Sequence, residues 1–113
     1  MVDFSVAEHD DVIIISISGE FYLESVSYAE ELWNAQVSRK PRVIAFNCKK
    51  IKYIDSSAIG ILVKFLNSSA KANVKLVFFD LSETVVTVFK TAKLNNFFTT
   101  MSKEEFEAEY ITH

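Results

Sequence analysis

Hydrophobic and polar positions along the chain switch between the spacing of strands and the spacing of helices. Short apolar or alternating runs predict strands, and apolar residues three and four positions apart predict helices. Strands separated by helices imply right-handed crossovers and a mainly parallel sheet, while a turn at residues 9–11 makes the first two strands antiparallel. The expected fold is α/β, with a mixed, mostly parallel sheet of four to five strands and about four helices. The predicted strands span residues 4–7, 12–18, 42–48 and 74–79, and the predicted helices span 25–37, 57–72, a segment capped by Ser82, and 102–110.

Serine residues mark the expected helix starts. Ser27 with Glu30, and Ser102 with Glu105, have the three-residue spacing of a capping box. Ser25 competes with Ser27 as the cap of the first helix. These signals place the helix boundaries but carry no chemistry of their own.

The long central helix has two distinct faces in the sequence. A stripe with helical spacing predicts its buried side, and Ile61 then falls on the opposite side with Ser57 and Lys64. The segment 49–55 before the helix is predicted to be a connecting loop whose apolar residues face inward. The predicted core stripe is Ile59, Leu62, Val63, Leu66 and Ala70, and the inward-facing loop residues are Ile51, Tyr53 and Ile54.

Composition narrows the possible functions. The chain has 113 residues, enough for a single domain over residues 1–113, and a formal charge of −3. Its basic residues form no long cluster, so nucleic-acid binding is not expected. The longest apolar runs, such as residues 12–15, are far too short to span a membrane, and the N-terminus lacks the pattern of a signal peptide. A single cysteine fits a reducing cytoplasm.

Candidate catalytic and metal chemistry is sparse. The two histidines, His9 and His113, lie near opposite ends of the chain, and no cluster has metal-ligand spacing. A serine nucleophile would need a neighbouring base, and a Gly-x-Ser-x-Gly motif is absent. Trp33 and Cys48 are expected in the core. We therefore expect no enzyme activity, no catalytic residue, no metal and no cofactor.

The most informative segment is residues 55–60, Asp-Ser-Ser-Ala-Ile-Gly, at the start of the central helix. Taken alone, Asp and Ser at this position are ordinary helix caps. The helix, however, follows a strand of a parallel βαβ unit, at the carboxyl edge where such sheets place their sites. An exposed Ile61 beside an exposed serine would form a docking patch.

These six residues resemble the Asp-Ser-Ser/Thr-Gly/Ala-Leu/Ile-Gly signature of STAS-domain anti-sigma factor antagonists, also called anti-anti-sigma factors. Gly-Glu-Phe at residues 19–21 is similar to the Gly-Glu-Leu that follows the second strand in that family, and the element order matches over nearly the whole chain. The sequence departs from the family at Tyr22 or Leu23 and at Asn47, where many relatives carry an acid.

The resemblance implies partner switching in a bacterial cytoplasm. It implies that the unphosphorylated protein binds an anti-sigma factor that is also a serine kinase and thereby frees a sigma factor. Ser56 would be the phosphoacceptor, and a serine phosphatase would restore binding. An alternative is an unphosphorylated STAS scaffold in a sensory or transport complex. The partner-binding residues predicted around Ser56 are Asp55, Ser57, Ala58, Ile61 and Lys64.

Overall fold

The fold is described by a computed structural model over residues 2–111 and contains five strands and four α-helices in that range. A 3₁₀ turn, Leu23–Ser25, precedes the first helix, and a π-helical segment, Glu107–Ile111, continues the last one. The strands are β1 (Val2–His9), β2 (Val12–Phe21), β3 (Val43–Ile54), β4 (Lys75–Phe79) and β5 (Thr99–Met101), and the helices are α1 (Val26–Val37), α2 (Ser56–Ala72), α3 (Glu83–Thr91) and α4 (Lys103–Phe106).

The five strands form one sheet in the order β1-β2-β3-β4-β5. β1 and β2 pair antiparallel, and every other pair is parallel. This confirms the predicted α/β class and the antiparallel edge. The sequence pattern did not locate β5, because a strand of three residues that are at most half-buried shows no hydrophobic periodicity.

Helices cover the two faces of the sheet unequally. Side chains of α1, α2 and α3 form the larger core on one face, where the rings of Trp33 and Phe65 stack with centroids 4.6 Å apart. On the other face, Phe106 of α4 stacks on Phe79 of β4 with centroids 4.1 Å apart. Cys48 is buried in the larger core, and burial raises the pKa of its thiol. The predicted core positions of Trp33 and Cys48 are confirmed.

β3 is longer than predicted and carries two irregularities. Its pairing with β2 shifts between Ser16 and Ser18 and again between Gly19 and Glu20, and each shift adds one residue to β3. Every third residue of this segment is buried, namely Cys48, Ile51 and Ile54, and the two residues between successive buried positions are exposed. The prediction of a loop at residues 49–55 is therefore wrong for residues 49–54, which belong to β3. Tyr53, expected to face inward, lies among the exposed residues because the second bulge turns it outward.

The buried face of α2 is displaced from the predicted one. Ala70 is exposed, and the hydroxyl of the buried Ser69 donates to the carbonyl of Leu66 at 2.7 Å. The predicted exposure of Ile61 is wrong, because this side chain is 6% exposed and belongs to the larger core. The buried residues of α2 are Ala58, Ile61, Leu62, Phe65 and Ser69, with Ile59, Val63 and Leu66 only partly buried beside them.

The helix caps follow the sequence except at α1. Ser82 caps α3, and Ser102 with Glu105 forms the predicted capping box of α4. Ser25 rather than Ser27 occupies the cap position of α1, without a side-chain hydrogen bond. Glu30 cannot complete a box there because Ser27 lies inside the helix.

Candidate functional site

Asp55 joins three parts of the chain at the start of α2. Its Oδ1 atom accepts a hydrogen bond from the Ala58 amide at 2.9 Å, which is the N-cap bond expected from the sequence. Its Oδ2 atom accepts from the Leu23 amide at 3.0 Å, and its own amide donates to the Phe21 carbonyl at 3.2 Å. Both carboxylate oxygens are therefore used, and the turn after β2 is held against the start of α2.

Ser56 is the first residue of α2, and its side chain is exposed. Within residues 2–111 its hydroxyl has no hydrogen-bond partner. The first amides of a helix have no partner inside the helix, and the helix dipole makes this end favourable for negative charge. Ser57 beside it is half-buried. The Ser56 hydroxyl is thus open to a reacting group and lies where a phosphate would be tolerated.

An apolar surface borders Ser56. It consists of Tyr22, Leu23 and Tyr53, and we call it the tyrosine patch. The rings of Tyr22 and Tyr53 meet edge to face with centroids 5.4 Å apart. Leu23 is 64% exposed and Tyr53 is 50% exposed. The Asp55–Leu23 hydrogen bond holds this patch next to the helix start. The sequence pattern did not predict this patch, because Tyr53 was expected to face inward.

Acidic groups surround the tyrosine patch. Burial raises the pKa of the Tyr22 hydroxyl, and the charges of Glu20, Tyr53, Glu24 and Asp55 raise it further. Tyr22 therefore stays neutral at physiological pH. Although Tyr22 and Leu23 lack the acid that many relatives carry, Glu24 supplies a carboxylate next to Leu23.

Asn47 belongs to a different part of the sheet. It lies within β3 rather than at its end, it pairs in register with Ser16, and its Oδ1 atom accepts from the Lys49 amide at 3.1 Å. The predicted end of this strand at residue 48 came too early, so Asn47 is separated from the helix start by the bulged half of β3.

The outer side of α2 carries the remaining predicted residues. Gly60 is exposed, and a Cβ atom built on it would meet nothing within 4 Å. Lys64 is exposed but forms an ion pair with Glu30 of α1. Ser56, Gly60 and Lys64 are spaced by four residues, so they follow one another along one face of the helix.

Two residues predicted to bind a partner do not reach the surface. Ala58 is 0% exposed because it begins the buried stripe of α2, and Ile61 continues that stripe one turn later. A partner covering the helix start cannot contact either side chain in this fold. The surface that surrounds Ser56 instead consists of Asp55, Ser57, Gly60 and the tyrosine patch.

His9 is far from Ser56 and Ser57. His9 pairs with Val12 at the beginning of β2, whereas the Asp55 amide bonds to Phe21 at the end of that strand. The ten residues of β2 span about 30 Å. His113 lies outside the described residues.

The described residues also bear on metal binding and on membrane spans. No group of three or more His, Cys, Asp or Glu side chains able to hold a metal ion occurs within residues 2–111. Over those residues, no helix has the length and apolar character needed to cross a membrane.

The fold and the helix start together identify the class of protein. The family model of the STAS domain matches residues 3–108. The chain therefore belongs to the STAS domain family. No curated protein matches the chain in sequence.

Solved structures share the fold at low sequence identity. The unphosphorylated form of the anti-sigma factor antagonist SpoIIAA superposes with a TM-score of 0.79 at 17% identity, covering 98% of this chain and 100% of that one. The phosphorylated form of SpoIIAA, a Bacillus cell fate determinant, gives a TM-score of 0.71 at 17% identity and covers 91% and 95%. A putative anti-sigma factor antagonist from Thermotoga maritima gives 0.84 at 19% identity and covers 94% and 92%.

Proposed function

We propose that this chain is an anti-sigma factor antagonist of a bacterial cytoplasm, switched by phosphorylation of Ser56. Its unphosphorylated form binds an anti-sigma factor serine kinase and frees the sigma factor. A serine phosphatase returns the phosphorylated form to the active state. The observation that carries this proposal is the exposed Ser56 hydroxyl at the first residue of α2, beside an apolar surface that faces solvent.

The electrostatics of this position favour a switch that changes binding and not folding. A phosphate adds about 1.5 to 2 negative charges and three acceptor oxygens. The free amides and the dipole at the start of α2 stabilise that charge in the free protein. Asp55 next to it is already negative and cannot solvate the group. A partner that covers Ser56 would therefore bury both charges, which costs several kcal/mol unless they are paired.

The tyrosine patch and Gly60 supply the surface that such a partner would cover. Exposed Tyr53 is a side chain of the kind that contributes strongly when a partner buries it, and exposed Leu23 beside it adds apolar area to the same contact. Gly60 exposes helix backbone, and packing among residues 2–111 does not require a glycine there. A partner could approach α2 closely at that turn.

Phosphate transfer tests the proposal directly. The full chain is mixed with ATP and its cognate anti-sigma factor kinase, and phosphorylation is read by mass spectrometry. We expect one phosphate on the wild type and none on Ser56→Ala, with Ser57→Ala as the matched control that is still labelled. Binding of this kinase without phosphate transfer would overturn the switch and favour the unphosphorylated scaffold. Labelling that vanishes only in Ser57→Ala would move the site by one residue.

Replacing Gly60 with alanine should have opposite effects on folding and on binding. Alanine favours a helix interior by about 1 kcal/mol over glycine, and its methyl group meets nothing in the free protein, so the free energy of unfolding should rise by about 0.5–1 kcal/mol. The same methyl group would obstruct a partner packed against the backbone, so affinity for the kinase should fall. Denaturant unfolding and a binding titration measure the two effects. Unchanged affinity would remove Gly60 from the interface.

A further inference from the structure

A polar cleft opens on the sheet face opposite α1, α2 and α3. It encloses about 280 Å³ where β1, β2 and β3 lie side by side. On the same face, Val12 and Ile14 lie under the C-terminal helix, but Ser16 and Ser18, further along β2, line the cleft. The cleft contains none of the residues that surround Ser56.

Strand register arranges the side chains of this cleft in two rows. Ser5 of β1 pairs with Ser16 of β2, which pairs with Asn47 of β3. In the next row, Asp3 pairs with Ser18, which pairs with Lys50. Residues two apart on β1 and β2 point to the same face, and the bulge in β3 brings Lys50 into line with Asn47, so both rows line the cleft. Hydroxyl, amide, carboxylate and ammonium groups thus come together on rigid strands.

The first bulge in β3 increases the positive charge at the cleft. It adds one residue between the partners of Ser16 and Ser18, so that both Lys49 and Lys50 line the opening. The Oδ1 atom of Asn47 accepts a hydrogen bond from the Lys49 amide, so the Nδ2 group of Asn47 remains available as a donor. Bulges of this kind often redirect side chains next to binding sites.

Most polar side chains of the cleft have no partner among the described residues. Counting only partners within residues 2–111, no hydrogen bond or ion pair engages the hydroxyls of Ser5, Ser16 and Ser18 or the ammonium groups of Lys49 and Lys50. Two ammonium groups match the charge of one phosphate group. The Asp3 carboxylate would repel a second phosphate but can accept hydrogen bonds from hydroxyl groups.

We propose that this cleft binds a sugar monophosphate. Lys49 and Lys50 hold the phosphate group, while the row of Ser5, Ser16 and Asn47 hydrogen-bonds the sugar hydroxyls and Asp3 accepts from them. A volume of about 280 Å³ is at the small end of ligand pockets and suits a compact ligand of this class. This site is additional to the proposed switch and does not depend on it.

Titration of the ¹⁵N-labelled full chain with glucose 6-phosphate tests the site. We expect saturable shifts of backbone amides confined to residues 3–5, 16–18 and 47–50. Lys50→Gln removes a charge-assisted contact and should weaken binding about tenfold or more. Lys71→Gln, an exposed lysine near the end of α2, is the matched control and should leave the affinity unchanged.

Further ligands and variants distinguish a sugar monophosphate site from a site for phosphate alone or for sugar alone. Ser16→Ala should weaken binding of glucose 6-phosphate more than binding of inorganic phosphate. Equal affinities for these two ligands, or for glucose and glucose 6-phosphate, would overturn the proposed class. Shifts that do not saturate, or that saturate with the wild-type affinity in Lys50→Gln, would overturn the site. Lys49→Gln provides the same test if Lys50→Gln fails to fold, which the dispersion of the amide spectrum reports.

Discussion

Replacement of Ser56 by aspartate is expected to weaken binding of the cognate anti-sigma factor kinase by about a hundredfold or more, because a partner must then bury an unpaired charge beside Asp55. The fold should be unchanged, since Ser56 is exposed and the first turn of a helix favours negative charge. Affinity is measured by calorimetric titration, and stability by thermal unfolding of the same samples.

Asparagine is the matched control at this position. Ser56→Asn has nearly the shape of Ser56→Asp but no charge, so it should keep most of the affinity. If the two variants bind equally weakly, the loss comes from size and not from charge. Undiminished binding by Ser56→Asp would contradict the electrostatic basis of the proposed switch.

Truncation of Ile61 to alanine is expected to lower the free energy of unfolding by about 2–5 kcal/mol, as large-to-small changes at fully packed positions do. Ile61 is 6% exposed and packs in the larger core, so its removal leaves a cavity beneath the start of α2. Urea unfolding followed by circular dichroism measures the change. A loss below about 0.5 kcal/mol, typical of surface substitutions, would contradict this placement.

Tyr53→Ala serves as the counterpart of Ile61→Ala. Tyr53 is half exposed, so its truncation should cost less stability than that of Ile61 but should weaken kinase binding by removing part of the tyrosine patch. We expect Ile61→Ala to lose stability but keep its affinity for the kinase, and Tyr53→Ala to lose affinity but keep most of its stability. This pattern would show that Ile61 belongs to the core and Tyr53 to the docking surface. If Ile61 were exposed, as the sequence pattern suggested, Ile61→Ala would instead weaken binding and leave stability nearly unchanged.

The difference over Ile61 has a physical origin. The apolar residues of α2 cover a wide arc, so two stripes about one residue apart both have helical spacing. The predicted stripe omitted Phe65, which is 1% exposed and stacks against Trp33 and Phe46. Because a large aromatic side chain dominates the packing of a helix, including Phe65 would have turned the expected core face toward Ala58 and Ile61.

The bulged half of β3 was hidden for a similar reason. A strand is recognised by a period of two, whereas residues 48–54 have one buried position in three. The period of three follows from two extra residues in the pairing with β2, and no local signal specifies that pairing. The same bulges place Tyr53 in the tyrosine patch and Lys49 and Lys50 at the cleft.

Local signals in the sequence were enough to predict the order of the first four strands and the helices, the cap at Asp55, and an exposed serine at the start of α2. These depend on neighbours within a few residues, where capping and periodicity act. Three features became visible only in the folded chain: the buried face of α2, the hydrogen bond from Leu23 to Asp55, and the position of Ala58 and Ile61 beneath the site. Such features depend on which strands and rings pack together, and this is set by contacts between residues distant along the chain.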